Sequence, residues 1–475
     1  MTGIIAYGGY VPFHRIKKTE IAAAFGKTAK NGEKAVAYYD EDSLTMAVAA
    51  SLNAIPTADG KDLKGVYFAT TTSPYREKQC ASQIAAVMDC NHAIRSADFS
   101  NSLKCASDAM LAALEFAKSG EKTLVAAADC RLGGNDGSYE NDLGDGAAAF
   151  VIGSGDDVIA EFIDSAAISI EGYDMWRLQD SKIVRFWDVR FANTQLYTPM
   201  VTEAVKTILA KTGLKPEDFA AVVSYAHEER YIAAPLLKLG FNPAQMQPAL
   251  YGEIGNTGSA AAPLMFANAL DNAKPGDKIL AVFYGDGCNA MIFEATEKIA
   301  DYKPAHTIRE IIDRKNNTLT YGKYLKWKDF LECEPMRRPD QERSSQPDYF
   351  RGYKRNNAMW GSKCKVCGKP HYPPQRVCAT CHSVDQMEPY RFIGKKAWLR
   401  TFTLDGVSLS LDPPNNLVVV EFEGGGKMMT FLDDCDKADI HVKMPVELSF
   451  RRMFQAGHVN TYFWKVVPDT KKENA

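Results

Sequence analysis

Two pairs of cysteines in the last third of the chain have the spacing of a metal site. Cys364 and Cys367 flank two residues, Cys378 and Cys381 flank two more, and residues 368–377 lie between the pairs. Each Cys-x-x-Cys segment can turn both thiolates toward one metal ion, and two such segments complete a tetrahedral four-sulfur site. Protein sulfur then fills every position and leaves none open for substrate or water. The spacing therefore predicts a structural Zn²⁺ in a zinc ribbon.

Other interpretations of this cysteine cluster are weaker. A redox dithiol needs only one such pair, and His371 and His382 are surplus to the ligand set and are predicted to be surface residues. Zinc ribbons often bind nucleic acid, but residues 361–475 lack the concentrated basic stripe that such binding requires. We therefore expect no nucleic-acid partner.

A further cysteine has the surroundings of a nucleophile. In Asp98-Phe-Ser-Asn-Ser-Leu-Lys-Cys105-Ala-Ser-Asp-Ala, a polar turn leads into an alanine-rich helix, and Cys105 stands at its start. Unpaired N–H groups and the helix dipole lower the pKa of a thiol there, and the thiolate is the reactive form. Cys105 is therefore the predicted nucleophile. A buried structural role is the alternative, and it is the role expected of Cys80, Cys90, Cys130, Cys333 and Cys435.

His227 and Asn256 are the candidates to assist Cys105. His227 follows the apolar run Val222-Val-Ser-Tyr-Ala, and α/β enzymes place catalytic groups at strand ends. Asn256 lies in the turn Ile254-Gly-Asn-Thr-Gly, before a helix of small residues. Taken singly, His227 could equally be a structural histidine and Asn256 a helix cap. Their assignment as catalytic residues therefore depends on all three, Cys105, His227 and Asn256, occurring together.

These residues need a scaffold, and the 475-residue chain is long enough for several domains. Up to about residue 326, short apolar runs alternate with amphipathic stretches. The strand-like runs include residues 65–70, 123–128 and 279–284, and the helix-like stretches include residues 43–55, 107–118 and 202–211. This alternation predicts an α/β architecture with strands buried on both faces.

The composition changes along the chain, and these changes suggest domain boundaries. We expect two similar halves of the α/β body, a polar linker that contains prolines, a zinc ribbon and a small β-barrel. Runs such as Ala397-Trp-Leu-Arg-Thr-Phe-Thr have the period of two that predicts strands of such a barrel. The five segments are residues 1–160, 161–331, 332–359, 360–390 and 391–475.

Bulk composition narrows the functional classes. A net charge of −3 and a charged fraction of 24% do not suggest nucleic acid or an anionic membrane as a partner. The N-terminus has no features of a secretory signal, and no apolar run reaches the length of about 20 residues that a membrane helix needs. The 11 cysteines are odd in number and four are clustered, which argues against a disulfide framework. A cytoplasmic protein without a membrane partner is expected.

Taken together, the motifs of residues 3–295 resemble those of 3-hydroxy-3-methylglutaryl-CoA synthases, especially the archaeal type, and more distantly ketoacyl-carrier-protein synthase III. The matching stretches are Gly3-Ile-Ile-Ala-Tyr-Gly-Gly-Tyr-Val-Pro, the Cys105 turn, Gly144-Asp-Gly-Ala-Ala-Ala-Phe, His227, Lys238-Leu-Gly-Phe and Ile254-Gly-Asn-Thr-Gly. The C-terminal module is similar to the rubredoxin-like zinc ribbon plus OB-fold proteins that partner thiolases, usually as separate chains. That similarity lies in the four cysteines, Tyr372-Pro-Pro-Gln-Arg and Gly394-Lys-Lys-Ala-Trp.

The resemblance implies a thiolase fold, with two βαβαβαββ halves stacked in five layers, in an obligate homodimer. It implies a triad of Cys105, His227 and Asn256, in which the cysteine takes an acyl group from coenzyme A. The histidine and asparagine then polarise the thioester carbonyl of the second substrate. The resemblance also implies an oxyanion hole made by the N–H of Cys105 and one from the Gly285–Gly287 loop.

Coenzyme A thioesters are therefore the expected substrates. The same resemblance places contacts to coenzyme A at Lys238 and Gly287. It suggests that the OB module helps to bind or channel the acyl-CoA.

One position departs from the family pattern. These synthases carry a catalytic glutamate in a Thr-Glu-Ser or Ser-Glu-Ser motif near the end of an early strand, and Thr72 stands there in this chain. A threonine hydroxyl has no useful pKa for acid–base catalysis. Glu77, Glu228 and Glu229 are the candidates to replace the glutamate.

The predicted function is an acyl-CoA C-acyltransferase or synthase that forms or thiolytically cleaves a C–C bond through an acyl group on Cys105. Genuine hydroxymethylglutaryl-CoA synthesis, an aldol-type condensation of acetyl-CoA with acetoacetyl-CoA, is one alternative. A non-catalytic acyl-CoA-binding scaffold is another, and the intact Cys105, His227 and Asn256 disfavour it. Cys288 is a candidate second acid–base thiol, with a packed loop cysteine as the alternative.

Overall fold

A nine-stranded mixed sheet organises the first part of the computed structural model, which describes residues 1–29, 31–334, 341–408 and 410–469. The strands up to residue 295 are β1 (Thr2–Tyr10), β2 (Arg15–Lys17), β3 (Glu33–Ala35), β4 (Leu63–Ala69), β5 (Arg95–Phe99), β6 (Lys122–Cys130), β7 (Asp145–Ser154), β8 (Ala160–Ser169), β9 (Met175–Trp176), β10 (Arg185–Phe186), β11 (Ala221–Ser224), β12 (Lys278–Tyr284) and β13 (Gly287–Ala295).

The strand order of this sheet repeats itself. The order is β11-β12-β13-β8-β1-β7-β6-β4-β5. In the first half, β1 pairs antiparallel with β7, β7 antiparallel with β6, and β6 parallel with β4. In the second half β8, β13, β12 and β11 follow the same pattern, and a bridge from Val222 to Met246 takes the place of β5. The two halves therefore share one topology, and they join where β1 pairs with β8.

Helices cover and separate the two halves. The α-helices are α1 (Lys18–Ala24), α2 (Ser43–Ala54), α3 (Ala81–Val87), α4 (Cys105–Ala117), α5 (Ser138–Asp142), α6 (Val189–Phe191), α7 (Thr198–Thr212), α8 (Ala233–Lys238), α9 (Ala261–Asp271), α10 (Ile308–Asp313), α11 (Tyr321–Trp327), α12 (Gln346–Arg351) and α13 (Tyr353–Ala358). A π-helix, Ala192–Tyr197, precedes α7. Among the described residues, no helix has both the length and the apolar character needed to cross a membrane.

Five layers result from this arrangement. α2 and α3 pack on the outer face of the first half, and α7 packs on the outer face of the second. α9 contacts β7 on one side and β11 and β12 on the other, so it lies between the halves. α4 lies in the same central layer, because Asn289 of β13 donates a hydrogen bond to Ser107 of α4 at 2.8 Å. The two central helices thus share one core with both halves of the sheet.

The C-terminal residues form a ribbon and a barrel. The strands are β14 (Trp360–Cys364), β15 (Pro370–His371), β16 (Met387–Arg391), β17 (Ala397–Asp405), β18 (Asn415–Phe422), β19 (Lys427–Phe431), β20 (Pro445–Ala456) and β21 (Val459–Pro468). β15, β14 and β16 make the three-stranded ribbon sheet, and the other five follow the order β19-β18-β17-β20-β21. A parallel bridge between Leu432 and Val466 brings the two ends of the five-stranded sheet together.

The later part of the predicted linker is mostly helical. Residues 335–340 of the linker, and residues 470–475 at the end of the predicted barrel, lie outside the described residues. α12 and α13 occupy much of the rest, and α13 packs against α3 and β21. Asn357 is buried. Its side chain accepts a hydrogen bond from Gln83 of the body, and its backbone carbonyl accepts one from Trp464 of the barrel at 3.1 Å. The segment is therefore packed between body and barrel.

The barrel and the α/β body share a core. Leu44 and Val48 of α2 belong to the same buried cluster as Phe450 and Trp464 of the barrel. Next to this core lies a group of six buried charges, which we call the Arg451 cluster. It consists of Asp40, Glu41, Asp433, Asp434, Arg451 and Lys465. Two acids come from the body and the other four charges from the barrel, so ion pairs cross the domain boundary.

Candidate active site and metal centre

Cys105 is the first residue of α4 and is 2% exposed. No side-chain hydrogen bond caps this helix, since the ammonium group of Lys104 at the N-cap position cannot accept one. The backbone N–H of Cys105 donates to the carbonyl of Ser102 at 3.2 Å. That bond is long, and the N–H would have to leave it in order to serve the predicted oxyanion hole.

The pKa of the Cys105 thiol differs in direction from the sequence-based expectation. Burial raises it well above the ordinary value, and the carboxylates of Asp129 and Asp108 raise it further. The expected lowering by the helix start is outweighed, because removing a thiolate from water is unfavourable and nearby negative charge adds to that. Cys105 is therefore a thiol in the free protein.

The Gly285–Gly287 loop lies against the turn that precedes Cys105. The hydroxyl of Ser102 donates to the carbonyl of Gly285 at 3.2 Å. A Cβ atom on Gly285 would come within 2.8 Å of the backbone nitrogen of Lys104. This close approach requires glycine, and it places the loop next to the nucleophile as the sequence predicted.

Asn256 and His227 meet in the structure. The Asn256 amide donates to the backbone carbonyl of His227 at 3.0 Å and to the hydroxyl of Tyr225 at 3.3 Å. Its oxygen accepts hydrogen bonds from Arg131 at 2.9 Å and from the N–H of Gly258 at 3.0 Å. The segment Gly258–Ala260 that follows packs against α4, which begins with Cys105. The three predicted residues therefore lie on neighbouring elements.

Both ring nitrogens of His227 have partners. Nε2 lies 2.8 Å from Oδ2 of Asp174, and Nδ1 lies 3.3 Å from the hydroxyl of Tyr225. Oδ2 of Asp174 also accepts a hydrogen bond from Tyr284 at 2.6 Å. An Asp–His–Tyr group therefore stands at the position for which the sequence indicated a single histidine.

Thr72 belongs to a set of threonines that surround a buried carboxylate. Asp129 accepts hydrogen bonds from the hydroxyls of Thr70, Thr71 and Thr72 at 2.9–3.0 Å and from the N–H of Thr71 at 2.7 Å. The N–H of Ser259 is a fifth donor at 2.8 Å. Asp129 is fully buried. Through these hydrogen bonds it connects Thr72, which stands where the family has its glutamate, to Ser259 in the segment after Asn256.

Two cavities border this group. One of about 990 Å³ is lined by Thr70, Thr71, Tyr75, Arg76, Lys78, Ser102, Leu103, Arg131, Asp174, Arg177 and Gly285, among others. The other, of about 20 Å³, is lined by His227, Asp174 and the aromatic side chains of Tyr139, Phe186, Tyr197 and Tyr231, with four smaller neighbours. Asp174 borders both. The lining of the larger cavity thus includes the turn before Cys105 and four cationic side chains.

Other predicted residues lie elsewhere. Lys238 ends α8 and is exposed. Gly287 begins β13, where a Cβ would come within 2.1 Å of the carbonyl of Ile168, so its Cα side faces β8. Cys288 is fully buried in β13, and burial raises its pKa far above the ordinary value. A buried thiol with so high a pKa fits the packed alternative rather than an acid–base role.

The three candidate glutamates do not fill the gap at Thr72. Glu77 and Glu229 are exposed, and Glu228 pairs with Arg230 at 2.6 Å. The carboxylates of this group that were not predicted from the sequence are Asp129, which is buried, and Asp174, which is partly buried. Asp129, with Arg131, ends a buried strand, and charged residues at that place are a signal that could have been used.

The four cysteines of the ribbon come together. Their sulfur atoms all lie within 4.8 Å of one another, with 3.6 Å between Cys364 and Cys381 and 3.5 Å between Cys367 and Cys378. Sulfurs around a tetrahedral zinc, with Zn–S bonds of about 2.3 Å, are about 3.8 Å apart. The donor set and its spacing therefore fit Zn²⁺.

The two cysteine turns are built alike. The N–H of Gly368 donates to the carbonyl of Cys364 at 2.8 Å, and the N–H of His382 donates to that of Cys378 at 3.0 Å. Both donors have positive φ, +73° and +59°. The N–H of Cys381, then that of Thr380 and the ring of His371, lower the pKa of Cys378 to about 5, which favours the thiolate a metal needs.

The two ribbon histidines differ. His382 is exposed, as predicted. His371 is only half-exposed, and its Nε2 lies 3.4 Å from the sulfur of Cys378. It stands beside the ligand set and was wrongly expected to be a plain surface residue.

Three segments of the chain match known families. Residues 209–294 match the 3-oxoacyl-[acyl-carrier-protein (ACP)] synthase III C-terminal family. Residues 354–388 match the ChsH2 rubredoxin-like zinc ribbon domain, and residues 390–451 match the ChsH2 C-terminal OB-fold domain. The predicted ribbon and OB modules are thereby confirmed.

Solved structures share the fold of the body. A hydroxymethylglutaryl-CoA synthase complexed with CoA superposes with a TM-score of 0.62 at 21% identity, covering 72% of this chain and 94% of that one. The 3-oxoacyl-[acyl-carrier-protein] synthase III of Aquifex aeolicus VF5 gives 0.54 at 22% identity, covering 62% and 100%. These likenesses confirm the predicted thiolase fold.

Curated relatives are similar over almost their whole length. The hydroxymethylglutaryl-CoA synthase of Methanopyrus kandleri is 33% identical over 344 residues, which cover 70% of this chain and 98% of the relative. That of Pyrococcus horikoshii is 32% identical, covering 68% and 95%. At this identity and coverage, the chain belongs to the hydroxymethylglutaryl-CoA synthase family of the thiolase superfamily, with a zinc ribbon and an OB-fold domain joined to its C-terminal side.

Proposed function

We propose that the chain is an acyl-CoA C-acyltransferase or synthase that forms or thiolytically cleaves a C–C bond through an acyl group on Cys105. The position of Cys105 carries this proposal. It begins an uncapped central helix, beside the Gly285–Gly287 loop and the segment that follows Asn256. A thioester carbonyl held there would meet backbone N–H groups at a helix start, which stabilise a developing oxyanion.

The large cavity supports a coenzyme A thioester as the substrate. The residues that line it include Arg76, Lys78 and Arg177. They also include Ser102 and Leu103, which shortly precede Cys105 in the chain. Cationic side chains suit the phosphates of coenzyme A, and a thioester arm could extend from them toward Cys105. Lys238 and Gly287, the contacts implied by resemblance, do not border this cavity.

The barrel contacts a residue that lines the same cavity. The hydroxyl of Tyr75, which lines the cavity, accepts a hydrogen bond from the N–H of Asn460 in β21 at 2.8 Å. This contact supports a role for the OB domain in positioning the acyl-CoA entrance.

Genuine hydroxymethylglutaryl-CoA synthesis is the second candidate. The relatives are named hydroxymethylglutaryl-CoA synthases, which favours this reaction. Thr72 in place of the family's catalytic glutamate argues against the family's mechanism operating without change. Acetoacetyl-CoA as acceptor separates the two, because only the aldol-type reaction yields an alcohol from it.

A cytoplasmic homodimer belongs to the same proposal. β5 is an edge strand of the nine-stranded sheet, and such an edge can pair with its counterpart in a second copy. Sedimentation of the full chain measures the mass of the assembly and so distinguishes a homodimer from a monomer. Cysteines that act as nucleophile and metal ligands suit a reducing compartment.

The test of Cys105 is intact-protein mass spectrometry after incubation with a panel of acyl-CoAs. We expect one acyl adduct on the wild type and none on Cys105→Ala. Cys333→Ala is the matched control, because it removes an exposed thiol and should leave the adduct in place. Equal labelling of Cys105→Ala and wild type would contradict the proposal, and no labelling of either would favour a scaffold.

A further inference from the structure

A carbon–carbon bond-forming reaction on the acyl group of Cys105 needs a base, and Thr72 does not supply one. Its hydroxyl donates to Asp129 at 3.0 Å and accepts the N–H of Cys130 at 2.9 Å. A hydroxyl so engaged is a structural member of the Asp129 group. The inference that follows rests on the proposed function, since it assigns a group within the same site.

Asp129 is close to the nucleophile but is saturated. Five donors point at its two oxygens, three at Oδ1 and two at Oδ2. A carboxylate offers about four lone-pair sites, so no lone pair is left for a substrate proton. Asp129 therefore fixes Thr70–Thr72 and Ser259 in place.

Asp174 is placed differently. It borders the large cavity and is 13% exposed at its side chain. Oδ2 is held by His227 and Tyr284, at 2.8 and 2.6 Å. Within the described part of the chain, Oδ1 accepts only the N–H of the adjacent Met175. One oxygen is thus anchored while the other has a lone pair for a ligand.

The surroundings keep Asp174 ready as a base. Burial alone would raise its pKa, but His227 and the hydrogen bonds from His227, Tyr284 and Met175 hold it below the ordinary value. Burial and the Asp174 carboxylate raise the pKa of Tyr284, so Tyr284 stays a proton donor to it. These contacts favour the ionised carboxylate, which is the form that can accept a proton.

We propose that Asp174 is the catalytic carboxylate that replaces the glutamate at position 72, with His227 as its partner. Oδ1 takes a proton from the carbon next to the thioester carbonyl of the acyl group on Cys105. The C–H electron pair forms the enolate, whose carbon then bonds to the carbonyl carbon of the second acyl group. The proton on Asp174 returns to the resulting alkoxide or to the departing thiolate of coenzyme A.

This assignment moves the base from one loop to another. The family glutamate follows an early strand, whereas Asp174 lies between β8 and β9 in the second half of the fold. Both loops line the same cavity, so the carboxylate can approach the acyl group from another wall.

Deuterium exchange on the acyl-enzyme tests the proposal. The full chain is incubated with acetyl-CoA in D₂O, amide deuterium is exchanged back in H₂O, and the Cys105 peptide is weighed. We expect the acetyl group of the wild type to gain deuterium at its methyl carbon. Asp174→Asn should still carry the acetyl group, with exchange slowed by about a hundredfold or more.

Two variants complete the test. Asp174→Glu restores a carboxylate and should recover part of the exchange, which a merely structural role does not predict. Asp156→Asn, the same change on an exposed residue that does not line the cavity, should exchange like the wild type. Two results would overturn this inference and leave the proposed function standing. One is exchange at the wild-type rate in Asp174→Asn. The other is the absence of the acetyl adduct from Asp174→Asn while the wild type still forms it. No adduct on the wild type would overturn both.

Discussion

The environment of Cys105 shows how competing effects decide the state of one residue. A helix start stabilises a negative charge by about 0.3–1 kcal/mol, whereas full burial can shift a pKa by several units. Burial, Asp129 and Asp108 all raise the pKa of Cys105. The thiol is therefore the resting form, and Cys105 must give up its proton as its sulfur attacks the thioester.

Neutralising a nearby carboxylate should make Cys105 more acidic. Because Asp129 and then Asp108 raise the pKa of Cys105, Asp108→Asn and Asp129→Asn should both move the midpoint of its alkylation by iodoacetamide to lower pH. The shift should be larger for Asp129→Asn. Rates at Cys105 are read by peptide mass spectrometry over a pH series.

The control for this series is Glu115→Gln, an exposed change on the same helix. It should leave the midpoint in place. An unchanged or higher midpoint in both aspartate variants would show that their charge does not govern the thiol. Asp108→Asn is the informative variant if Asp129→Asn fails to fold, since Asp108 is partly exposed.

Residues that act locally could be found from the sequence, and residues that act across the fold could not. Cys105 was identified because its neighbours in the chain show a helix start, and the ribbon cysteines because their spacing is local. Asp174 meets His227 across 53 positions and Tyr284 across 110. Those contacts depend on the packing of two strands and a loop, about which spacing carries no information.

Among the elements, the three strands and three helices of the body that were predicted from the pattern of apolar residues are present in the structure. β4, β6 and β12 and helices α2, α4 and α7 lie where expected. The linker differs, because its charged residues suggested a solvated tether. α13 instead buries Asn357, Ala358 and Met359 against body and barrel, a contact that composition cannot reveal.

The ribbon is an element that needs its metal. It has few strands and little core, so the zinc–sulfur bonds should supply much of its stability. Cys378→Ser should abolish the single bound zinc and destabilise the ribbon by at least about 3 kcal/mol. Metal content and thermal unfolding measure both effects.

Cys333→Ser is the matched change outside the ligand set, and it should keep the zinc. Retention of full zinc by Cys378→Ser would mean that His371, which lies 3.4 Å from that sulfur, takes over the vacant position. A variant without zinc that melts like the wild type would argue against a structural role.

At the scale of the whole molecule, the Arg451 cluster joins body and barrel by charge. It holds two cations and four acids, so full ionisation would leave excess negative charge in a buried place. Burial raises the pKa of Glu41 to about 7 and that of Asp433 to about 8. Two bound protons would balance the cluster, which explains why these two acids keep theirs.

This cluster should make the chain less stable as pH rises. Glu41 and Asp433 bind protons more tightly in the folded chain, so their contribution is complete below their unfolded pKa values of 4.5 and 3.8. It is lost as pH rises through about 7 and 8. Between about pH 5 and pH 8, the wild type should lose on the order of 3 kcal/mol more stability than Glu41→Gln/Asp433→Asn.

Urea unfolding at the two pH values measures this difference. The exposed change Glu115→Gln should follow the wild type. If the free energy of unfolding of the double variant depends on pH as that of the wild type does, then the two acids are ionised in the folded chain. The Arg451 cluster would then be stable with a net negative charge.

The shared core has a consequence for dilution. A barrel on a separate chain would leave the enzyme once protein concentration fell below the dissociation constant of the pair. Here α13 and the packed core keep the barrel at an effective concentration that dilution does not change. Each chain therefore keeps one barrel beside the large cavity at any protein concentration, and the hydroxyl of Tyr75 keeps its hydrogen bond from Asn460.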